Sequence, residues 1–250
     1  MKVAITGSRG FIGSHLKKRL ESEGHDIIEW DTNVDKPIEL FDLDGAEYVI
    51  HLAAYADVRA SIEKPDLYWE NNVTTTTRIQ RLCNEAGIPL LYASSSCIHN
   101  WWLSPYGISK KVNEETAYDN QVGLRFTTVY GTGARDTMLI GRLISGNIEY
   151  VTNHIRDFVH VSDVVEAICL LMSKDIEALK PAYDIGTGHG VLVSNLAKIA
   201  GFEDLPVKAG DICEAQDNTA DITDMKELGW SPTKDVKMYL HANTIGGIPV

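Results

Sequence analysis

The feature that most constrains this chain lies in its first 23 residues. A short β-branched run, Lys2–Thr6, meets glycines at 7, 10 and 13, and a helical periodicity follows over Phe11–Glu23. Glycine triplets alone are common. A triplet that closes a strand and opens a helix is a phosphate cradle. Gly7 permits the tight turn, Gly10 lets a phosphate approach the backbone, and Gly13 lets the helix lie close to the strand. The unpaired N–H groups and positive dipole end of the helix then attract an anion. The turn therefore predicts a bound dinucleotide, with Arg9, Phe11 and Ile12 beside its pyrophosphate.

The rest of the chain continues the alternation. Strand-like runs at Asp26–Trp30, Tyr48–Leu52, Leu90–Ala93 and Val122–Phe126 are separated by helical stretches at about Leu67–Ala86 and Tyr106–Asn120. Alternating strands and helices predict an α/β fold, a Rossmann-type doubly wound parallel sheet. After Gly131 the pattern loosens into loops and a short helix up to Arg156. A helix at Asp163–Ser173 and a strand at Ala182–Ile185 follow, then short helices at Ser194–Ala200 and Asp221–Leu228. The expected division is a dinucleotide-binding domain over 1–165, with 163–187 returning to its sheet. A small C-terminal substrate-binding lobe would be drawn mainly from 131–162 and 188–250.

Asp31 ends the second strand about twenty residues past the glycine turn, where a carboxylate binds the adenosine ribose hydroxyls and repels a 2′-phosphate. It favours NAD as the cofactor. Arg9 pulls towards NADP, since a guanidinium near that ribose suits the extra phosphate; Asp31 is given the greater weight. Asp42 and Leu43 are candidates for contact with the adenine.

Charge narrows the remaining classes. The net charge of −12 disfavours broad nucleic-acid or anionic-membrane binding, which need a basic surface. No apolar run has the length of a membrane span, and the apolar start Met1–Ile5 is too short for a signal-peptide core. Four cysteines without paired spacing, and histidines without ligand spacing, suggest neither disulfides nor a metal site. The expectation is a soluble, cytoplasmic protein.

Chemistry is signalled by Tyr106-Gly107-Ile108-Ser109-Lys110. Four residues apart on a helix, the phenol and the ammonium share one face. A free tyrosine has a pKa near 10; a neighbouring ammonium stabilises the phenolate and makes it a usable base. Such a pair is frequent by chance, but downstream of a dinucleotide turn it points to proton transfer coupled to redox. Ser94-Ser95-Ser96, at the end of the fourth strand, offers a hydroxyl to orient the substrate oxygen.

Together these residues resemble the extended short-chain dehydrogenase/reductases, the NAD-dependent epimerase/dehydratase family that acts on nucleotide sugars. The similarity runs along nearly the whole chain. It continues through Val49–Ala54, Asn71-Asn72-Val73, Leu124-Arg125-Phe126, Val129-Tyr130-Gly131, Arg156–Val161, Tyr183–Gly188, Ala220-Asp221-Ile222 and Leu228–Pro232. The resemblance implies that Leu52, Ala53 and Ala54 line the cofactor, and that Asn72 braces the sheet near the active site. It implies Ser95 as the catalytic hydroxyl, with Ser96 as the competing register. Arg156 would contact the diphosphate of a nucleotide-sugar substrate, and Lys208 would replace a second phosphate-binding arginine. A homodimer through the helices near Leu67–Ala86 and Tyr106–Asn120 is also implied.

The chain departs from the family in three places. Tyr106 stands only eleven positions after Ser95, a shortened loop in which Trp101 and Trp102 either stack on substrate or pack the loop down. Thr128 stands where the family carries a substrate-contacting asparagine. Ser96-Cys97 replaces the acid pair of 4,6-dehydratases, which disfavours dehydration for want of a proton shuttle. Cys97 resembles the proton-shuttling cysteine of some epimerase/reductases, but the histidine that would partner it is replaced near Gly133. The leading expectation is an NAD-dependent nucleotide-sugar epimerase. A nucleotide-sugar reductase, dehydrogenase or 4,6-dehydratase and a non-catalytic dinucleotide-binding protein are the alternatives.

Overall fold

The computed structural model of the chain describes residues 1–245 and 248–249. Six strands form the central sheet: β1 (Lys2–Thr6), β2 (Asp26–Trp30), β3 (Tyr48–His51), β4 (Leu90–Ser95), β5 (Gln121–Phe126) and Ala182–Ile185. Their spatial order is β2-β1-β3-β4-β5 and then Ala182–Ile185, every pair parallel. The chain first winds outward from β1 to β2, then crosses to the other side of β1 to form β3. Open α/β sheets bind ligands in the crevice at such a reversal, at the carboxyl ends of the strands. The glycine turn leaves β1, and Leu52-Ala53-Ala54 leaves β3, on the two sides of that crevice.

Strand periodicity sorts the apolar side chains into two layers. Val3, Ile5, Tyr48, Ile50, Leu91, Val122 and Leu124 join one cluster with Leu16 and Leu20 of helix α1 (Phe11–Ser22) and with Val164, Ile168 and Leu171 of the helix Val161–Met172. Their strand neighbours Ala4, Val49, Leu90 and Tyr92 join the opposite layer with Ile79 and Cys83 of the helix Thr75–Ala86. A parallel sheet buried on both faces reads as near-continuous apolar runs, as these strands do. Truncating one such side chain to alanine costs about 2–5 kcal/mol.

A second, smaller core lies between Tyr130 and Leu240. A three-stranded sheet (Gly190–Leu192, Ile155–His160, Thr128–Tyr130) packs there with the helices Leu139–Ser145, Val193–Ile199 and Val236–Asn243. Asp157, fully buried, ties this sheet to the main one. It accepts the Thr187 N–H at 2.8 Å, the Gly188 N–H at 2.9 Å and the Ala220 N–H at 3.2 Å. Asp163 does similar work for the C-terminal segment, accepting the Thr233 and Lys234 N–H groups at 3.1 and 3.0 Å.

Several elements differ from the sequence reading. The helix expected over Tyr106–Asn120 spans Pro105–Glu115, because Tyr118–Asn120 turns back to start β5. The stretch Leu67–Ala86 is interrupted by a π-helical segment, Trp69–Thr74. The strand Ile155–His160 and the helices Val58–Glu63 and Val236–Asn243 went unread; each is short and leans on tertiary packing. No helix among the described residues is long and apolar enough to cross a membrane.

Candidate active site

The glycine turn has the shape its sequence demands. Gly7 sits at φ +70°, its N–H bonded to the Trp30 carbonyl at 2.8 Å, while the Gly10 N–H closes onto the Gly7 carbonyl at 2.9 Å. A Cβ on Gly7 would lie 2.9 Å from the Ala53 nitrogen, and one on Gly13 only 2.0 Å from the Gly7 oxygen. Gly10 caps α1 without a side-chain partner, and no acid occupies the helix's first turn. The first N–H groups of α1 are thus without side-chain partners, which fits a pyrophosphate. Phe11 and Ile12 begin the helix and pack partly into the core. On the facing strand end, the Leu52 N–H bonds to the Thr6 carbonyl at 3.1 Å and the Ala53 N–H to Thr6 Oγ1 at 3.2 Å; Ala54 follows, half-buried.

Asp31 lies at the rim of this cradle, 8% exposed. Its carboxylate accepts the main-chain N–H of Arg9 at 3.0 Å and of Asn33 at 2.9 Å, so one side chain fixes both the glycine turn and the segment after β2. The Arg9 guanidinium points elsewhere, into an ion pair with Glu29 at 2.7 Å. Asp42 is exposed, and Leu43 packs at the edge of the Trp30–Phe41 cluster.

The helix Pro105–Glu115 carries the candidate pair. Ser104 caps it by accepting the Gly107 N–H at 3.1 Å, and Pro105 presets its first turn. Tyr106 and Lys110 are both buried, with Lys110 Nζ 5.8 Å from the centre of the Tyr106 ring and donating to the Ala93 carbonyl at 2.7 Å. Burial pushes the Tyr106 phenol well above its usual range; the Cys97 thiol adds to this and the nearby Ser95 hydroxyl partly opposes it. Burial also brings Lys110 down from 10.5 to about 8. His51, beneath them, bonds Thr6 Oγ1 at 2.6 Å and Thr76 Oγ1 at 2.9 Å; burial and then Lys110 lower it to about 3, so its ring is neutral.

The surrounding residues hold this helix in place. Asn72, fully buried, exchanges hydrogen bonds of 2.9 Å with the Tyr55 main chain in both directions and donates to Ser109 Oγ at 3.3 Å. It ties the loop after β3 to the Pro105–Glu115 helix from within the π-helical turn, a distortion frequent at functional sites. Ser61 Oγ accepts the Tyr106 N–H at 3.2 Å. The shortened loop folds as a 3₁₀ segment, Ser96–Leu103. Its Trp101 backbone lies against Gly107, where a Cβ would come within 2.6 Å of the Trp101 oxygen. The Trp101 and Trp102 rings meet edge to face, centroids 5.9 Å apart, and remain 39% and 59% exposed.

Three further candidates, Ser95, Ser96 and Cys97, follow β4 beside the pair. Ser95 caps the 3₁₀ segment, accepting the Cys97 N–H at 3.2 Å. The Ser96 hydroxyl instead accepts from the Asn218 amide at 3.5 Å, and the same amide reaches Thr128 Oγ1 at 3.4 Å. A carboxamide thus arrives beside Thr128 from the C-terminal segment. Burial raises the Cys97 thiol, against smaller lowering effects from Ser95, Arg156 and Lys110, so it stays protonated at neutral pH.

The phosphate-binding candidates are less open than their sequence suggests. Arg156 donates to the Ile155 and Ala215 carbonyls at 2.9 and 2.8 Å and to Glu214 at 2.9 Å. Glu214 also pairs with Arg59 at 2.7 Å. Lys208 stands 3.7 Å above the Tyr150 ring, at the wall of a cavity of about 360 Å³ shared with Arg59, Thr152, Gly210 and Asp211.

With this arrangement in view, the relatives of the chain can be placed. Residues 3–186 match the NAD dependent epimerase/dehydratase family. The chain belongs to it. It is 28% identical to Protein CapI of Staphylococcus aureus, over 95% of each chain. It is 26% identical to the UDP-glucose 4-epimerase of Lactobacillus helveticus, over 93% of this chain and 92% of the relative. Among solved structures, MoeE5 in complex with UDP-glucuronic acid and NAD superimposes with a TM-score of 0.86 at 29% identity, covering 99% and 98% of the two chains. The cofactor of this NAD-dependent family fits the glycine cradle described above.

Sequence reading missed Arg59, Glu214, Glu29 and Asn218. Glu29 carried a signal, since it shares a strand side with Asp31 two residues on. Arg59 follows the helix cap Asp57, whose carboxylate accepts the Ala60 N–H, a cue to a helix that presents it. Glu214 and Asn218 sit in a loop with no periodicity and gave no sign.

Proposed function

We propose that the protein is a cytoplasmic, homodimeric UDP-sugar epimerase that inverts a ring carbon, C4 by analogy with its relatives, using tightly held NAD. The observation that carries this is the convergence of Tyr106, Lys110 and Ser95 beside the glycine cradle, in a family whose relatives bear that name. NAD, when bound, supplies the reversible hydride acceptor. Tyr106 takes the proton of the sugar hydroxyl and later returns it. Burial opposes a bare phenolate, so Lys110 must offset it: with a pKa near 8 it remains mostly charged at neutral pH. Ser95 orients the sugar oxygen.

Arg156, Arg59 and Lys208 receive the diphosphate and nucleotide. Guanidinium forks suit a diphosphate. Here Glu214 holds both arginines in advance, and substrate binding exchanges its carboxylate for the diphosphate. Asn218 takes over the amide contact that Thr128 cannot make. Cys97, held neutral, does not act as a base. The absence of the dehydratase acid pair at Ser96-Cys97 favours inversion over elimination.

The test is to incubate purified protein with UDP-glucose and UDP-glucuronic acid and to follow each by proton NMR. Appearance of the C4 epimer at catalytic protein levels, without added coenzyme being consumed, is expected. Stoichiometric NADH accumulation with no epimer would replace this reading with a dehydrogenase. A monomeric mass at micromolar concentration would refute the dimer.

A further inference from the structure

The carboxylate of Glu29 is where three side chains of the glycine turn and of the helix it opens meet. Arg9 reaches it through Nε and Nη2, each at 2.7 Å, Lys17 Nζ lies at 2.6 Å, and Ser8 Oγ at 3.0 Å. Ser8 and Arg9 belong to the glycine turn, and Lys17 to the second turn of α1. A bidentate guanidinium, an ammonium and a hydroxyl converging on one point make up a phosphate-binding set. In this protein the anion at their centre is the protein's own.

The position of this set matters. Glu29 and Asp31 project from the same side of β2, because strand side chains alternate. The Arg9 main chain bonds Asp31 at 3.0 Å while its side chain bonds Glu29. The cation cluster therefore borders the carboxylate at the ribose rim of the cradle. A coenzyme 2′-phosphate would arrive there with nearly two negative charges. Asp31 repels it, and Arg9 and Lys17 are the cations that border Asp31 through the glycine turn and α1. With both bound to Glu29, the local sum over Arg9, Lys17, Glu29 and Asp31 is zero.

Glu29 is well held. Burial alone would raise its pKa, but the hydrogen bonds from Lys17, Ser8 and Arg9 outweigh that and keep it below the usual carboxylate range. The side chains of Lys17 and Glu29 are each only 19% exposed, so solvent screens this contact less than an ordinary surface pair.

We propose that Glu29 is a coenzyme-specificity residue: by filling the Ser8–Arg9–Lys17 cation site with its own carboxylate, it denies that site to the 2′-phosphate of NADP and leaves NAD as the ligand that fits. Asp31 repels the extra phosphate, and Glu29 removes the cations that would overcome the repulsion. The conflict between Arg9 and Asp31 in the sequence is thereby resolved.

The test is competition, read as bound coenzyme and independent of any sugar. Wild-type and Glu29→Gln proteins carrying NAD are titrated with NADP, and the coenzyme retained after gel filtration is quantified by mass spectrometry. The NADP-to-NAD affinity ratio is expected to rise about tenfold or more in Glu29→Gln, equivalent to about 1.4 kcal/mol. Adding Arg9→Met should abolish the gain. An unchanged ratio in Glu29→Gln that still binds NAD, or a gain that survives loss of Arg9, overturns the proposal. Arg9→Met alone needs no change at Glu29 and provides a second arm. It should leave the ratio within about twofold of wild type, since the guanidinium is already taken, and a clear loss of NADP affinity would show that Glu29 does not sequester it.

Discussion

Two of the glutamates that hold arginines in this molecule repay comparison, Glu29 beside the glycine turn and Glu214 in the C-terminal segment. Glu29 closes a cation site beside the coenzyme turn, contacting Arg9, Lys17 and Ser8. Glu214 bridges Arg59 and Arg156. The two are similar in exposure, each with a side chain 19% accessible, but different in anchorage. Glu29 is set in a central-sheet strand and meets donors on the rigid turn and helix. Glu214 comes from a segment outside any helix or strand, tied to the Ile155–His160 strand through Ala215, Gln216 and Asn218. On the proposed reading the same ion pair serves opposite ends: on a strand it excludes a ligand, and on a loop it is a placeholder that a stronger anion displaces.

The predictions sharpen this contrast between a fixed and an exchangeable half. The largest effect is expected from Tyr106→Phe, which leaves the cradle intact. Turnover should fall about 10³-fold, within the range for general acid–base catalysis, with NAD retention unchanged. Steady-state rates and coenzyme content together check this.

Lys110→Met should lose about 100-fold in turnover yet gain stability. Because the folded protein holds the Lys110 pKa at about 8 against 10.5 in the unfolded chain, the unfolded state binds more protons between those values. Wild-type stability therefore rises with pH from about 8 to 10.5. At pH 7 the buried ammonium is a burden, and its removal should stabilise the fold by about 2 kcal/mol, a gain that fades above pH 8. Urea unfolding at pH 7 and pH 10 measures both values.

On the substrate side, Arg156→Ala should weaken UDP binding about tenfold or more, as loss of a charge-assisted bond predicts. Glu214→Gln should act in the opposite direction, tightening UDP about fivefold by removing the anion that UDP must displace. Calorimetric titration with UDP distinguishes them. Weaker binding in Glu214→Gln would mean that Glu214 positions the arginines rather than holding their place. The smallest effect belongs to Cys97→Ser, expected within about twofold of wild type, because burial keeps the thiol protonated.

Much of the coenzyme half was legible in the sequence because its chemistry is local. Gly7, Gly10 and Gly13 form a locally spaced turn, in which Gly7 takes a positive φ and a Cβ on Gly13 would strike the Gly7 oxygen, and Tyr106 with Lys110 obeys helical spacing. The parallel sheet followed from alternating apolar runs. The substrate half resisted because its contacts are distant in sequence: Glu214 meets residues 58 and 155 positions away. Arg156 was legible as a residue but not as an occupied one, since no local pattern tells that a loop carboxylate will reach it. The same holds for Asn218, which arrives beside Thr128 from 90 positions further on.

The most direct measurement is epimerisation of UDP-glucose in deuterium oxide, with the product read by NMR and mass spectrometry. Transient oxidation at the ring carbon, with Tyr106 moving only the hydroxyl proton, predicts an inverted C4 that carries no solvent deuterium. Deuterium at the inverted carbon, as deprotonation by a residue such as Cys97 would leave, would contradict that mechanism, and so would a Tyr106→Phe protein that inverts at the wild-type rate.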